Sequence, residues 1–221
     1  FWQQLRDLSG GKPVGFKLCI GQPWQFMAIV KAMMETDNYP DFIVIDGAEG
    51  GTGAAPVEFM DSVGMPLIDG FLFVHNTLVG AGIREKIKLG VSGKIVSGFD
   101  IARMLALGAD WCNSARGFMF ALGCIQALQC NKNTCPTGIT THDPRLQRGL
   151  VPEDKAQRVA HFARSLVQEV GIIAHSCGVD EPRQLQRVHA RMVQPNGEAR
   201  LLSELYGREG FHPPTEGSVP D

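Results

Sequence analysis

The feature that most constrains this chain is the alternation of short apolar runs with helix-period segments, which calls for a parallel sheet with helical crossovers. Val14-Gly15-Phe16-Lys17-Leu18-Cys19 reads as a strand after Gly10-Gly11-Lys12-Pro13. From Trp24 to Met34 the apolar residues recur at helical spacing, and Asn38-Tyr39-Pro40 stops the pattern. Phe42-Ile43-Val44-Ile45-Asp46 is β-branched and apolar on both faces, as a buried parallel strand should be. Helical stretches follow up to about Lys88, with a break near Gly64-Met65-Pro66. Lys94-Ile95-Val96-Ser97-Gly98 reads as a third strand, Ile101 to Leu107 as a helix closed by Gly108, and Ala109-Asp110-Trp111-Cys112-Asn113 as a fourth strand. Ser114-Ala115-Arg116-Gly117 opens a further helical turn. A long helix runs from about Glu153 to His175, a short one lies near 182–188, and the chain turns polar beyond Val193. Four such units make either an open doubly wound sheet or half of a (β/α)8 barrel. A full barrel takes about 250 residues, so these strands would be its second half. Periodicity leaves the two architectures open.

A second signal is Cys124-x5-Cys130-x4-Cys135-Pro136, which places three thiols in one short stretch. Three thiolates there can hold an iron–sulfur cluster. The spacing is not the C-x2-C pair of a zinc ribbon or a thioredoxin-like site, nor the closely spaced run of a bacterial ferredoxin. The alternatives are packing as small hydrophobes and disulfide pairing, since the six cysteines form an even count. A chain of 221 residues that is 44% hydrophobic buries a core without staples. Cys19, Cys112 and Cys177 lie in apolar segments and read as packing residues.

Net charge is −2, so nothing global attracts nucleic acid or anionic membrane. The apolar runs are too short to span a bilayer, and no leader pattern is visible. We expect a cytoplasmic location, with a membrane anchor on a missing amino-terminal part left open. The first residue is Phe, and a half-barrel alone exposes two strand edges, so we expect residues 1–221 to be the later part of a longer chain. Residues 1–193 would form the partial barrel and 194–221 a polar tail, partly ordered by Leu201-Leu202-Ser203-Glu204-Leu205-Tyr206.

The glycine-rich loops suggest a ligand site. If the four strands are the last four of a barrel, the phosphate-holding loops are Ser97-Gly98 and Ser114-Ala115-Arg116-Gly117, where free backbone N–H groups meet Arg116. Ordinary βα turns have similar composition. Gly50-Gly51-Thr52-Gly53 is neither a Walker loop nor a dinucleotide fingerprint, but it offers bare backbone to a flat aromatic ligand. Lys17 lies in an otherwise apolar strand, where an unpaired ammonium is costly. Either it snorkels to solvent or it serves a ligand, as a cation beside the pyrimidine end of a flavin would. His75 reads as a cap or surface group, and Asp46 as a group that orients or solvates the glycine loop.

Taken in order, Lys17-Leu18, Glu49-Gly50-Gly51-Thr52-Gly53-Ala54, His75-Asn76-Thr77-Leu78-Val79, Gly93-Lys94-Ile95-Val96-Ser97-Gly98 and Cys124…Cys130…Cys135-Pro136-Thr137-Gly138 resemble the synthase domain of the FMN-binding glutamate synthase family. The resemblance runs from about residue 13 to about residue 175. It implies an α/β fold, the C-terminal half of a (β/α)8 TIM barrel with an iron–sulfur cysteine loop after the last strand. FMN would sit at the carboxyl ends of the strands, and Cys124, Cys130 and Cys135 would hold a 3Fe-4S cluster. The implied reaction is reductive amination of 2-oxoglutarate with ammonia, through 2-iminoglutarate, to L-glutamate. Electrons would come from ferredoxin or an NAD(P)H-dependent reductase.

Lys17 matches the family lysine near flavin and 2-oxoglutarate and, with Glu49, is a catalytic candidate. Gly50, Gly51 and Thr52 match the loop over the ring, and Gly98, Ala115 and Arg116 the phosphate-binding ends. Two departures stand out: Ala48-Glu49 replaces the frequent His-Asp, and Gly98-Phe99-Asp100 replaces Gly-Arg-Asp. The resemblance is strongest to shorter, glutaminase-lacking members, so no glutamine hydrolysis is expected on this chain. The competing readings are another FMN-dependent barrel oxidoreductase or isomerase, and a cluster-bearing subunit without usable flavin.

Overall fold

Four short strands, β1 (Gly15–Leu18), β2 (Phe42–Asp46), β3 (Lys88–Ser92) and β4 (Trp111–Asn113), pair in parallel in the order β1-β2-β3-β4. The computed structural model describes residues 1–50, 55 and 58–207. After the strands come the helices α2 (Pro23–Thr36), α3 (Leu67–Gly80), α4 (Gly98–Ala106) and α5 (Arg116–Leu122), and α1 (Trp2–Leu8) precedes them. Doubly wound sheets reverse strand order at a switch point; this sheet runs straight through. With right-handed crossovers, sequential order puts successive helices on one face. Ile43, Ile45, Leu89 and Val91, at most 1% exposed, form one core with Phe26 and Val30 of α2, Phe71 and Leu78 of α3 and Ala102 of α4. The fold is therefore α/β, built on a parallel sheet.

The opposite face carries Gly15, Lys17, Phe42, Val44, Gly90 and Trp111, by alternation along the strands. Trp111 lies across β3 to meet the Phe42 ring edge-on at 5.9 Å. Gly90 makes that crossing feasible, since a Cβ there would stand 2.4 Å from the Trp111 ring.

The third strand differs from the sequence expectation. It is Lys88–Ser92, not 94–98. Gly93 at φ +144° and Lys94 at φ +47° turn the chain out of the sheet, and Ser97 then caps α4. The Ser97 hydroxyl accepts the Asp100 N–H at 3.2 Å, while the Asp100 carboxylate accepts the Ser97 N–H at 3.0 Å. A glycine inside a strand reads as a break, so Gly90 hides the true element.

The C-terminal helices brace this sheet. A short helix α6 (Pro144–Gln147) precedes α7 (Pro152–Ser176), which packs on α4 and α5, with Phe118 and Phe162 edge-to-face at 5.0 Å. The stretch beyond Val193, expected as a polar tail partly ordered by residues 201–206, is ordered there and enters the packed body. A hairpin of β5 (Arg191–Val193) and β6 (Ala199–Leu201) leads into a short helix, Leu202–Tyr206, whose Leu202 is fully buried. The remainder of the expected tail, 208–221, lies outside the described residues. Among the described residues no helix is long and apolar enough to cross a membrane.

At the N-terminal edge of the sheet a polar network joins the elements. Arg84 donates to Asp110 Oδ2 at 2.8 Å, to the Gly108 and Ile87 carbonyls at 2.9 Å each, and to His75 Nδ1 at 3.3 Å. His75 is thus inside α3 and facing inward, not a helix cap. Burial and the neighbouring Arg84 and Arg187 guanidiniums push it down from 6.5 to about 4, against the pull of Asp110.

The unfolded chain therefore takes up this proton between about pH 6.5 and pH 4, where the folded chain refuses it. This stability is complete above pH 6.5 and is lost as pH falls through that window. Discounted for partial exposure, the loss is about 2 kcal/mol. Denaturant melts at stepped pH should show it, and His75→Gln should flatten the slope; an equal slope in the variant would contradict the assignment.

Candidate functional site

The carboxyl ends of the strands converge on a cleft of about 120 Å³ lined by Lys17, Asp46, Gly50, Ser92, Lys94, Asn113, Ala115 and Arg116. Register explains the convergence. Asp46, Ser92 and Asn113 are mutual partners at the last rung of β2, β3 and β4, so their side chains leave the same face at the same height. The loops after those strands then bring Gly50, Lys94 and Arg116 over the rung. Ser114 closes one side by donating to the Ile95 carbonyl at 2.7 Å.

Lys17 extends from β1 and meets Asp46 Oδ2 at 2.7 Å. Asp46 Oδ1 is buried and has no hydrogen-bond partner among the described residues. Gly50 lets the backbone lie against this carboxylate: a Cβ there would be 2.7 Å from Oδ1. Lys94 pairs with Asp61 at 2.8 Å. Arg116, half-buried, has no ion pair or side-chain hydrogen bond among the described residues. The cleft therefore holds two neutralised cations and one free guanidinium, which suits an anionic group.

The structure gathers Lys17, Gly50, Ala115 and Arg116 of the expected site residues. Two others stand apart from the cleft lining. The Glu49 carboxylate accepts the Leu67 N–H at 2.9 Å and so caps α3, whose own N-cap, Pro66, has no side chain to do it. Gly98 donates its N–H to Glu169 Oε2 at 3.2 Å. A Cβ on Gly98 would stand 2.6 Å from Glu169 Cβ, so close packing of α7 on α4 accounts for this glycine. Gly51 and Thr52 lie outside the described residues. Ser92 and Asn113 are lining residues that strand-by-strand reading misses, and Asp46, read there only as orienting or solvating the glycine loop, joins them on the cleft wall. Their shared signal is a polar residue closing an apolar strand.

The cysteine excursion begins where Gly123 ends α5 in a left-handed turn. Gln126, Leu128 and Asn133 take left-handed φ values of +56°, +52° and +60°, unusual for residues with a Cβ and for Leu above all. All six cysteines are free. Burial raises Cys135, but hydrogen bonds from the Thr137 hydroxyl and from Thr140 outweigh it and bring it down to about 6. The thiolate is the metal-binding form, so the donors fit a soft metal in kind. Among the described residues, no three His, Cys, Asp or Glu side chains form a group that could hold a metal.

Two larger hollows, about 550 and 450 Å³, flank α1 and α2. The first has its charges paired, Arg6 with Asp41 at 3.1 Å and Lys86 with Asp37 at 3.7 Å. The second is lined mostly by apolar side chains. Neither offers converging reactive groups.

Residues 1–180 match the sequence model of the conserved region in glutamate synthase. The chain is 43% identical over 205 residues to the glutamate synthase large subunit-like protein YerD of Bacillus subtilis, covering 93% of this chain and 39% of that protein. It is 35% identical over 175 residues to an archaeal-type NADPH glutamate synthase of Thermotoga neapolitana, covering 79% of this chain and 34% of the relative. The chain thus spans well under half the length of these relatives. A flavocytochrome b2 variant with benzoylformate superposes with a TM-score of 0.52 at 15% identity, over 100% of this chain and 46% of that one, a likeness of fold alone. On the family match and these identities, the chain belongs to the glutamate synthase family.

Proposed function

We propose that this chain is the later half of a (β/α)8 barrel in a flavin-dependent oxidoreductase that makes L-glutamate by reductive amination of 2-oxoglutarate, through 2-iminoglutarate. The supporting observation is the cleft at the strand ends, where Lys17, Asp46 and Arg116 meet the bare backbone of Gly50. When bound, FMN would supply hydride chemistry, and a 3Fe-4S cluster held by Cys124, Cys130 and Cys135 would supply one-electron transfer from ferredoxin or an NAD(P)H-dependent reductase. Arg116 pairs with the FMN phosphate as a charge-assisted donor, next to Ala115. A ligand larger than the cleft would extend past Gly50.

Lys17 presents its ammonium to the 2-oxoglutarate carboxylate or to negative charge on the ring, where a fixed cation stabilises charge that develops during reaction. Glu49, anchored on α3, fixes the turn that precedes Gly50. Gly98 serves the α4–α7 contact that supports the phosphate end. Cys124, Cys130 and Cys135 provide the thiolates, and metal binding would complete the folding of their loop.

Full-length protein given 2-oxoglutarate, ammonium and a chemically reduced artificial donor should form L-glutamate. If FMN is retained but no glutamate forms from any nitrogen donor, a different FMN-dependent barrel oxidoreductase or isomerase is the better description.

A further inference from the structure

Asp46 closes β2 on the same sheet face as Lys17, two residues beyond Val44, the register partner of Lys17. We propose that Asp46 is a positioning residue for this cleft: it fixes the Lys17 ammonium at the wall and offsets its charge, leaving Arg116 to draw the anionic group of the ligand. The inference rests on the functional reading above and gives Asp46, expected only to orient or solvate the glycine loop, a role toward Lys17.

Three features carry it. First, the Lys17 side chain is 53% exposed, and a free lysine so placed would sample solvent, whereas the 2.7 Å ion pair holds it against the cleft. Second, the carboxylate is wedged. Bare Gly50 backbone lies against Oδ1, which is sealed from solvent without a donor among the described residues. The Gly47 N–H donates to the Ser92 carbonyl at 2.8 Å and ties the same turn to β3. A buried acceptor left without a donor calls for an explanation beyond folding, and holding Oδ2 on Lys17 supplies one. Third, Lys94 is likewise neutralised by Asp61 at 2.8 Å. Removing the Asp46 charge would place a second free cation beside Arg116, and an anionic ligand would then have two competing seats.

The test uses full-length, FMN-loaded protein in wild-type, Asp46→Asn, Asp46→Glu, Lys17→Met and Lys17→Met/Asp46→Asn forms. Asp46→Asn should melt like wild type. The midpoint potential of its bound FMN should rise, because a negative charge beside the anionic reduced ring is gone. Its kcat should fall about 10- to 100-fold, the scale of a misplaced group, with a smaller change in KM. Asp46→Glu should recover part of kcat, and the double variant should be no worse than Lys17→Met, the mark of two residues acting as one. Unchanged potential and kcat in Asp46→Asn, or losses that simply multiply in the double variant, would overturn the positioning role alone. A wild-type protein that binds no FMN would overturn the functional reading, and this role with it.

Discussion

Replacing Arg84 with alanine is expected to destabilise the fold by about 3 kcal/mol, the lower end of what breaking a buried ion pair costs. The Arg84 side chain is 13% exposed and that of Asp110 22%. Asp110 also accepts the Leu89 N–H at 2.7 Å, so the pair couples the start of β3 to the turn before β4. Burial raises Asp110, but the Leu89 N–H and the Arg84 charge win and hold it below the usual carboxylate range. Without the guanidinium, that carboxylate keeps, among the described residues, only the Leu89 N–H and the more exposed Lys88, at 3.4 Å. The Ile87 and Gly108 carbonyls lose a donor as well. Arg84→Lys should recover little, because one ammonium cannot span the four acceptors that the planar guanidinium reaches. Urea unfolding should show a lower midpoint at unchanged slope; a variant as stable as wild type would mean the network contributes nothing net.

The second large effect concerns the cleft. Arg116→Ala should weaken FMN binding about 10- to 100-fold, as loss of a charged hydrogen bond worth about 1.5–3 kcal/mol requires. Stability should barely change, since Arg116 has no partner to abandon among the described residues. Arg116→Lys should retain part of the affinity, as a point charge without the fork. Titrating apo-protein with FMN and following flavin fluorescence measures all three. Wild-type affinity in Arg116→Ala would place the phosphate elsewhere.

The legible parts of the fold were those where local chemistry and packing agree. Phe42–Asp46 reads correctly at both ends, because β-branched residues on both faces suit only a buried strand. The helix beginning near Trp24 reads correctly because its apolar stripe faces the core through Phe26, Val30 and Met33. Lys88–Ser92 escapes because Gly90 makes room for a tryptophan two residues short of the end of a different strand, a tertiary reason with no local trace.

The site divides in the same way. Lys17 stands out because an ammonium in an apolar strand must be answered for. Its answer, Asp46, is hidden because register alone brings the two together. Gly98 invites a phosphate reading, yet the space it leaves is filled by α7, from about seventy positions along the chain. Glu49 looks reactive in sequence and is anchored as a helix cap once α3 is in place. His75 looks like a surface group until Gly108 and Arg84 enclose it.

The account stands most directly on what the purified full-length protein carries under anaerobic conditions. It predicts flavin absorbance with a broad visible shoulder, FMN released on denaturation, and iron with acid-labile sulfide that disappear in Cys130→Ser. Protein free of both flavin and iron, folded and unable to take up added FMN, would contradict it.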